Sequence, residues 1–148
     1  MTPPPGGGAT SSSGETLEVT VLPALKKHGY AYIRQKYLSP NLGGGRQRVD
    51  TLVTALDNTL VNVSVKWQGG GGSVDEKVPC EILKMLVLKD ANPAIKRSYI
   101  VLAGPGWAHN PKKNFYKGDD IVTFIPRAKE ITILDFDEFL HLCIRKAL

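Results

Sequence analysis

Two cysteines in 148 residues, Cys80 and Cys143, are too few for a disulfide framework. Both lie in apolar, helix-like stretches, which predicts buried free thiols in a reducing compartment, such as the cytoplasm of a bacterial or phage-infected cell. No apolar run approaches the ~20 residues that a membrane-crossing helix requires. The first residues carry neither a basic stretch nor an apolar core, so a secreted protein is not expected. His28, His109 and His141 are too scattered to complete a zinc site with the two cysteines. The four glycines at 69–72 are not followed by Lys-Ser or Lys-Thr, which excludes a phosphate-binding P-loop. They read as a turn or as a place where the backbone approaches a ligand closely. No Ser-His-Asp arrangement can be read, and there are no internal repeats.

What is present suits one globular domain over residues 15–148, behind a Pro/Gly/Ser-rich tail over residues 1–14 that cannot bury enough surface to order itself. The net charge of +5 raises the expectation of a polyanionic partner without establishing one. The basic residues gather at Lys26 and Lys27, at Arg34 and Lys36, at Arg46 and Arg48, and at Lys112, Lys113 and Lys117. The last group is interleaved with Phe115 and Tyr116, which fits either phosphate contact with base stacking or an ordinary solvated loop.

Periodicity predicts a helix over residues 15–28 stopped at Gly29, and strands over 30–38, 46–56 and 60–67. A helix over 73–89 follows, opened by a Ser73/Glu76 capping box, although Pro79 sits late for that start. A strand over 98–103 ends at Gly-Pro-Gly-Trp, and a strand over 131–134 leads to a helix capped by Asp135 with Glu138 at its third position. The three meandering strands are expected to be antiparallel, and the helical crossover to make the next pairing parallel. The result is an α/β fold, a mixed central sheet flanked by helices in the order αβββαβ.

Alternation along the third strand places Asn62, Ser64 and Lys66 on one face, and Val61, Val63, Val65 and Trp67 on the other. Asp50 is an acid near the start of the preceding strand, in a setting that otherwise favours apolar residues. A two-residue loop at Asp57 and Asn58 would pair Asp50 with Val65 and turn it away from Lys66. A three-residue loop over 57–59 would pair it with Lys66 and put Asn62 and Ser64 on the same side. Glu81 follows fifteen positions after Lys66. It reads either as part of a surface ladder with Lys77 and Lys84 or as a functional acid. Glu18 is a further candidate carboxylate.

This order of elements, with Asp50, then Ser64-Val65-Lys66, then Glu81, resembles the PD-(D/E)XK nuclease superfamily, the restriction-endonuclease-like fold. Ser64 stands where the superfamily usually has an acid. The pattern is similar to the branch that reads S-x-K on the strand and carries the glutamate on the following helix. The resemblance implies a metal-dependent DNA endonuclease using Mg²⁺, with Mn²⁺ as a substitute. Asp50, Glu81 and the Val65 carbonyl would hold the metal, Lys66 would orient the attacking water, and Gln68 would steady the water or a phosphate. Arg46, Arg48, Lys112, Lys113 and Lys117 would contact DNA. A domain this small would cut both strands most simply as a homodimer. The competing expectation is a catalytically silent nucleic-acid or protein-binding module on the same fold.

Overall fold

The computed structural model describes residues 19–148; the tail over residues 1–14 and the candidate Glu18 lie outside them. The first described helix, α1 (Val21–Lys27), buries Val21, Leu22, Ala24 and Leu25. It gives way at Gly29, whose φ of 81° suits a residue without a Cβ.

The strand expected over 30–38 is two strands, β1 (Ala31–Arg34) and β2 (Tyr37–Leu38), and the strand expected over 46–56 is likewise β3 (Gln47–Arg48) and β4 (Thr51–Thr54). β1 pairs with β4 and β2 with β3, both antiparallel. Between them Gln35 N donates to Asp50 O at 3.1 Å, and Val49 N donates to Lys36 O at 2.9 Å. The register of the first pair carried onward is therefore the register of the second. This is one antiparallel ribbon, bent where Gln35 takes a φ of 51° opposite Asp50. Beyond the bend, β2 and β3 leave the main sheet as a separate arm.

The β4 hairpin closes through Leu56, Asp57 and Asn58, with Ala55 N donating to Thr59 O at 2.9 Å and Asn58 at a φ of 66°. The loop has three residues, as one of the two alternatives required, but starts one position earlier. It leads into β5 (Leu60–Trp67), whose bounds match the expectation. A short 3₁₀ turn (Val74–Lys77) precedes α2 (Val78–Ala91). The Ser73/Glu76 capping box does not form: Ser73 makes no side-chain cap bond. Pro79 sits in the first turn of α2, where its fixed φ and missing N–H are tolerated, so the α-helix starts at Val78 rather than Ser73.

β6 (Ile95–Ala103) then runs parallel to β5, and β7 (Thr132–Asp135) parallel to β6, giving the sheet order β1-β4-β5-β6-β7. Between them lie α3 (Pro111–Lys117) and α4 (Asp120–Phe124), two short helices that periodicity did not reveal. The chain closes with α5 (Phe136–Ile144), opened by the expected capping box of Asp135 and Glu138.

Helices cover both faces. Val53, Val61, Val63, Val65, Tyr99 and Val101 pack against Leu22 and Leu25 of α1 and Phe139 and Cys143 of α5. Ile100, Leu102 and Ile133 pack against Val78, Ile82, Met85 and Leu86 of α2, with Trp107 and Tyr116 beside them. Asn62, Ser64 and Lys66 share this second face, because they align with Ser98, Ile100 and Leu102 of β6. The polar face of β5 is therefore covered rather than wet: Asn62 and Ser64 are each 2% exposed. Cys143 is buried as expected, but Cys80 is exposed, because the first turn of α2 presents it outward.

Candidate active site

β4 ends its pairing at Thr51, opposite Val63, so residues 64–67 of β5 extend past it with one edge open. Asp50, at the bend of the ribbon, fills that edge. Its Oδ2 accepts from Val65 N at 3.1 Å and from Ser64 Oγ at 3.2 Å. Carrying the β4 register onward sets Asp50 opposite Ser64, two positions from the Lys66 pairing expected of a loop over 57–59. A shift of two preserves the face, so Asp50, Ser64 and Lys66 still point the same way. In an extended strand the N–H and C=O of one residue share an edge. The Val65 carbonyl thus opens toward the same side as the amide that Asp50 accepts from.

Glu81 comes to this face from the first turn of α2. Its carboxylate Oε2 lies 3.5 Å from Lys66 Nζ, and the two side chains are only 18% and 19% exposed. The ladder with Lys77 and Lys84 is absent among the described residues; Glu81 pairs with the sheet instead. Burial pushes the Asp50 carboxyl above its ordinary value despite the Val65 amide and Lys66, which pull it down, and the Glu81 charge adds to the rise. Two carboxylates face one ammonium in a half-dry corner, so negative charge there is under-compensated.

Such a corner suits a hard divalent cation, which takes carboxylate and carbonyl oxygens. Asp50, Glu81 and the Val65 carbonyl are oxygens of that kind. Among the described residues no three His, Cys, Asp or Glu side chains converge, so the acidic part of the donor set is these two carboxylates. The residues fit a cation that keeps several water ligands.

One part of the site was missed by sequence reading. The turn after β6 grips the end of β5: Trp107 Nε1 donates to Lys66 O at 3.0 Å, Gly106 N donates to Gln68 O at 2.8 Å, and Gln68 N donates to Ala103 O at 2.9 Å. A Cβ at Gly104 would lie 2.4 Å from Gln68 O, and one at Gly106 would lie 2.6 Å from Gln68 Cγ, so the turn requires both glycines. The signal was the Gly-Pro-Gly-Trp directly after a buried strand. Gln68 itself is 2% exposed, with Nε2 donating to Gly70 O and Gly71 O and Oε1 buried without a partner. Its amide is turned into the glycine run.

The lysines of α3 are ion-paired. Lys112 holds Asp75 at 3.1 Å and approaches Glu76, Lys113 holds Asp135, and Lys117 holds Asp135 and Glu138. Arg46 and Arg48 are exposed on the arm, four and two residues before Asp50.

With this geometry in place, the family profile of the PD-(D/E)XK nuclease superfamily domain matches residues 9–146. The chain belongs to the PD-(D/E)XK nuclease superfamily. No curated protein and no solved structure gives a significant match.

Proposed function

We propose that this protein is a metal-dependent DNA endonuclease that hydrolyses phosphodiester bonds. The observation that carries the reading is the meeting of Asp50, Lys66 and Glu81 at the open end of β5, with the Asp50 carboxylate left short of positive charge. Asp50, Glu81 and the Val65 carbonyl would hold a Mg²⁺ or Mn²⁺ ion, which would supply charge neutralisation for the phosphate and the leaving oxygen. Lys66, restrained by Glu81 and by the Trp107 bond to its carbonyl, places its ammonium where it donates a hydrogen bond to the attacking water or a non-bridging oxygen. Ser64 fixes the Asp50 carboxylate by hydrogen bonding and adds no charge.

Arg46 and Arg48 are the leading DNA contacts, since both are exposed on the arm that continues the ribbon from Asp50. Lys112, Lys113 and Lys117 contribute less, because each must share its charge with the carboxylates it already holds. Cutting both strands requires two such sites, most simply in a homodimer. The silent-module reading rests on Ser64 and on a donor set of two carboxylates. Supercoiled plasmid incubated with the protein and Mg²⁺ separates the two. Relaxation or linearisation that stops with EDTA supports the nuclease, and intact plasmid across a range of Mg²⁺ and Mn²⁺ concentrations supports the silent module.

A further inference from the structure

The arm formed by β2 and β3 has two unlike faces. Leu38 and Gln47, paired across it, point inward. Leu38 packs on the cluster of Val49, Leu52 and Leu88, while Gln47 Nε2 donates to Pro40 O at 3.3 Å and to Lys84 O of α2 at 3.4 Å. Asn92 Nδ2 adds a bond to Ser39 O at 3.0 Å. These contacts seat the arm on the helix that carries Glu81. Tyr37 pairs with Arg48 and points outward, and alternation puts Arg46 on that same outer face. The Arg46 guanidinium lies 4.9 Å from the centroid of the Tyr37 ring, which is 54% exposed.

The tip of the arm is ordered and thin. Asn41 N donates to Gly45 O at 3.1 Å, Gly44 N to Asn41 O at 3.0 Å, and Leu42 N to Asn41 Oδ1 at 2.8 Å. Gly43, Gly44 and Gly45 all have positive φ, and no atom lies within 4 Å of where their Cβ atoms would be. Leu42, an apolar residue, is 41% exposed at this tip.

We propose that the arm is the DNA-reading element of the nuclease: its glycine tip enters the minor groove beside the cut, and Leu42 wedges into a base step. This rests on the DNA-endonuclease reading. Apolar wedges unstack the step they enter, so they favour DNA whose stacking is already interrupted. The preferred substrate is therefore a duplex with a local break in stacking, such as a bulge, mispair or branch. Arg46 and Arg48 hold the flanking phosphates, with Tyr37 fixing the Arg46 plane. The bend at Gln35 and Asp50 directs this arm, so the wedge and the catalytic acid are tied to one ribbon.

The test is fluorescence anisotropy in EDTA, with a labelled duplex that is either intact or carries a single-nucleotide bulge. Wild type is expected to bind the bulged duplex ~10-fold more tightly, since the unstacking cost is already met there. Leu42→Ser, at an exposed position and checked for an unchanged fold by circular dichroism, is expected to lose that preference, binding the bulged duplex no more tightly than the intact one. Arg48→Ala is expected to weaken both DNAs alike and to reduce the salt slope by about one. A wild-type protein without preference, or a Leu42→Ser protein that keeps it, overturns the wedge. DNA binding that is absent or insensitive to salt in every variant overturns the arm as a nucleic-acid element and points to a protein partner. Plasmid left uncut by a protein that still prefers the bulge refutes catalysis alone. Plasmid cut by a protein whose preference survives Leu42→Ser refutes the wedge alone.

Discussion

Replacing Glu81 by alanine probes the proposed site at its helix, where the acid is proposed to come from α2 rather than from the strand. The side chain does two things: it faces the proposed cation position, and it restrains Lys66 at 3.5 Å. For two unit charges at that distance, an effective dielectric of ~20 gives a gross attraction of roughly 5 kcal/mol. The pair retains some solvent contact and both charges give up hydration, so its net worth to stability is nearer ~1 kcal/mol. Glu81→Ala is therefore expected to remain folded, with a thermal midpoint a few degrees lower. Cleavage is another matter. Losing one of the two proposed ligand carboxylates would remove most of the metal's stabilisation of the transition state, and a loss of at least ~10³ in rate, about 4 kcal/mol, is expected. DNA affinity measured without metal is expected to hold or to rise slightly, since a negative charge has gone. The assay is single-turnover cleavage of a labelled duplex at saturating protein. Moving the acid back to the strand, as Ser64→Glu with Glu81→Ala, is expected to restore part of the activity. Ser64 already contacts Asp50 from the same face, at 3.2 Å. Wild-type cleavage by Glu81→Ala refutes the helix-borne acid.

Three further outcomes follow from the contacts around the site and away from it. Trp107→Phe keeps an aromatic ring but deletes the donor to Lys66 O along with part of the indole's packing, and is expected to lower kcat about 10-fold with DNA affinity unchanged; an equal fall in Leu25→Ala, which only weakens the opposite core, would show that general loosening is responsible. In the folded protein Cys80 is expected to react with iodoacetamide at pH 8, whereas burial pushes the Cys143 thiol up to about 11 and it should react only on unfolding; mass spectrometry after brief labelling distinguishes them. Arg127 and Lys89 hold the Glu130 carboxyl down at about 2 from an ordinary 4.5, and Arg127 also lowers Asp90. Depressed carboxylates stabilise the fold above their unfolded values and lose that effect as pH falls through the folded ones, so the Arg127→Ala thermal midpoint should fall less steeply than wild type between pH 4.5 and 2.

The parts of this fold legible in the sequence were those where one local rule acted alone. β5 alternates cleanly between valines and polar residues, and its bounds and faces could be read directly. Asp135 and Glu138 capped α5 as their spacing required. Ser73 and Glu76 have the same spacing but do not form a box, because Pro79 fixes the start of α2 at Val78, five residues after Ser73, and leaves Glu76 in a 3₁₀ turn that Ser73 precedes. The ribbon bend at Gln35 and Asp50 was hidden, since neither residue is a glycine or proline that would announce it. Loop parity could be argued from the polar face of β5, but register could not. Asn58 accepts a positive φ, so the three-residue loop could move one position earlier. α3 and α4 are too short for an apolar stripe to stand out, and the lysines of α3 looked available until Asp75, Asp135 and Glu138 were seen beside them. The grip of Trp107 on β5 depends on two strands lying parallel with their ends in line, a relation that no local pattern encodes.

Asp50 is where the ribbon, the open edge of β5 and the proposed cation meet, and its carboxylate tests the proposed activity most directly. Asp50→Asn keeps the shape and still offers an oxygen to Val65 N and Ser64 Oγ, but removes the charge. In single-turnover cleavage with Mg²⁺ at saturating protein, wild type should cut and Asp50→Asn should be slower by at least ~10³, with DNA affinity in EDTA unchanged. Equal cleavage by the two proteins would contradict the assignment of this corner as the active site.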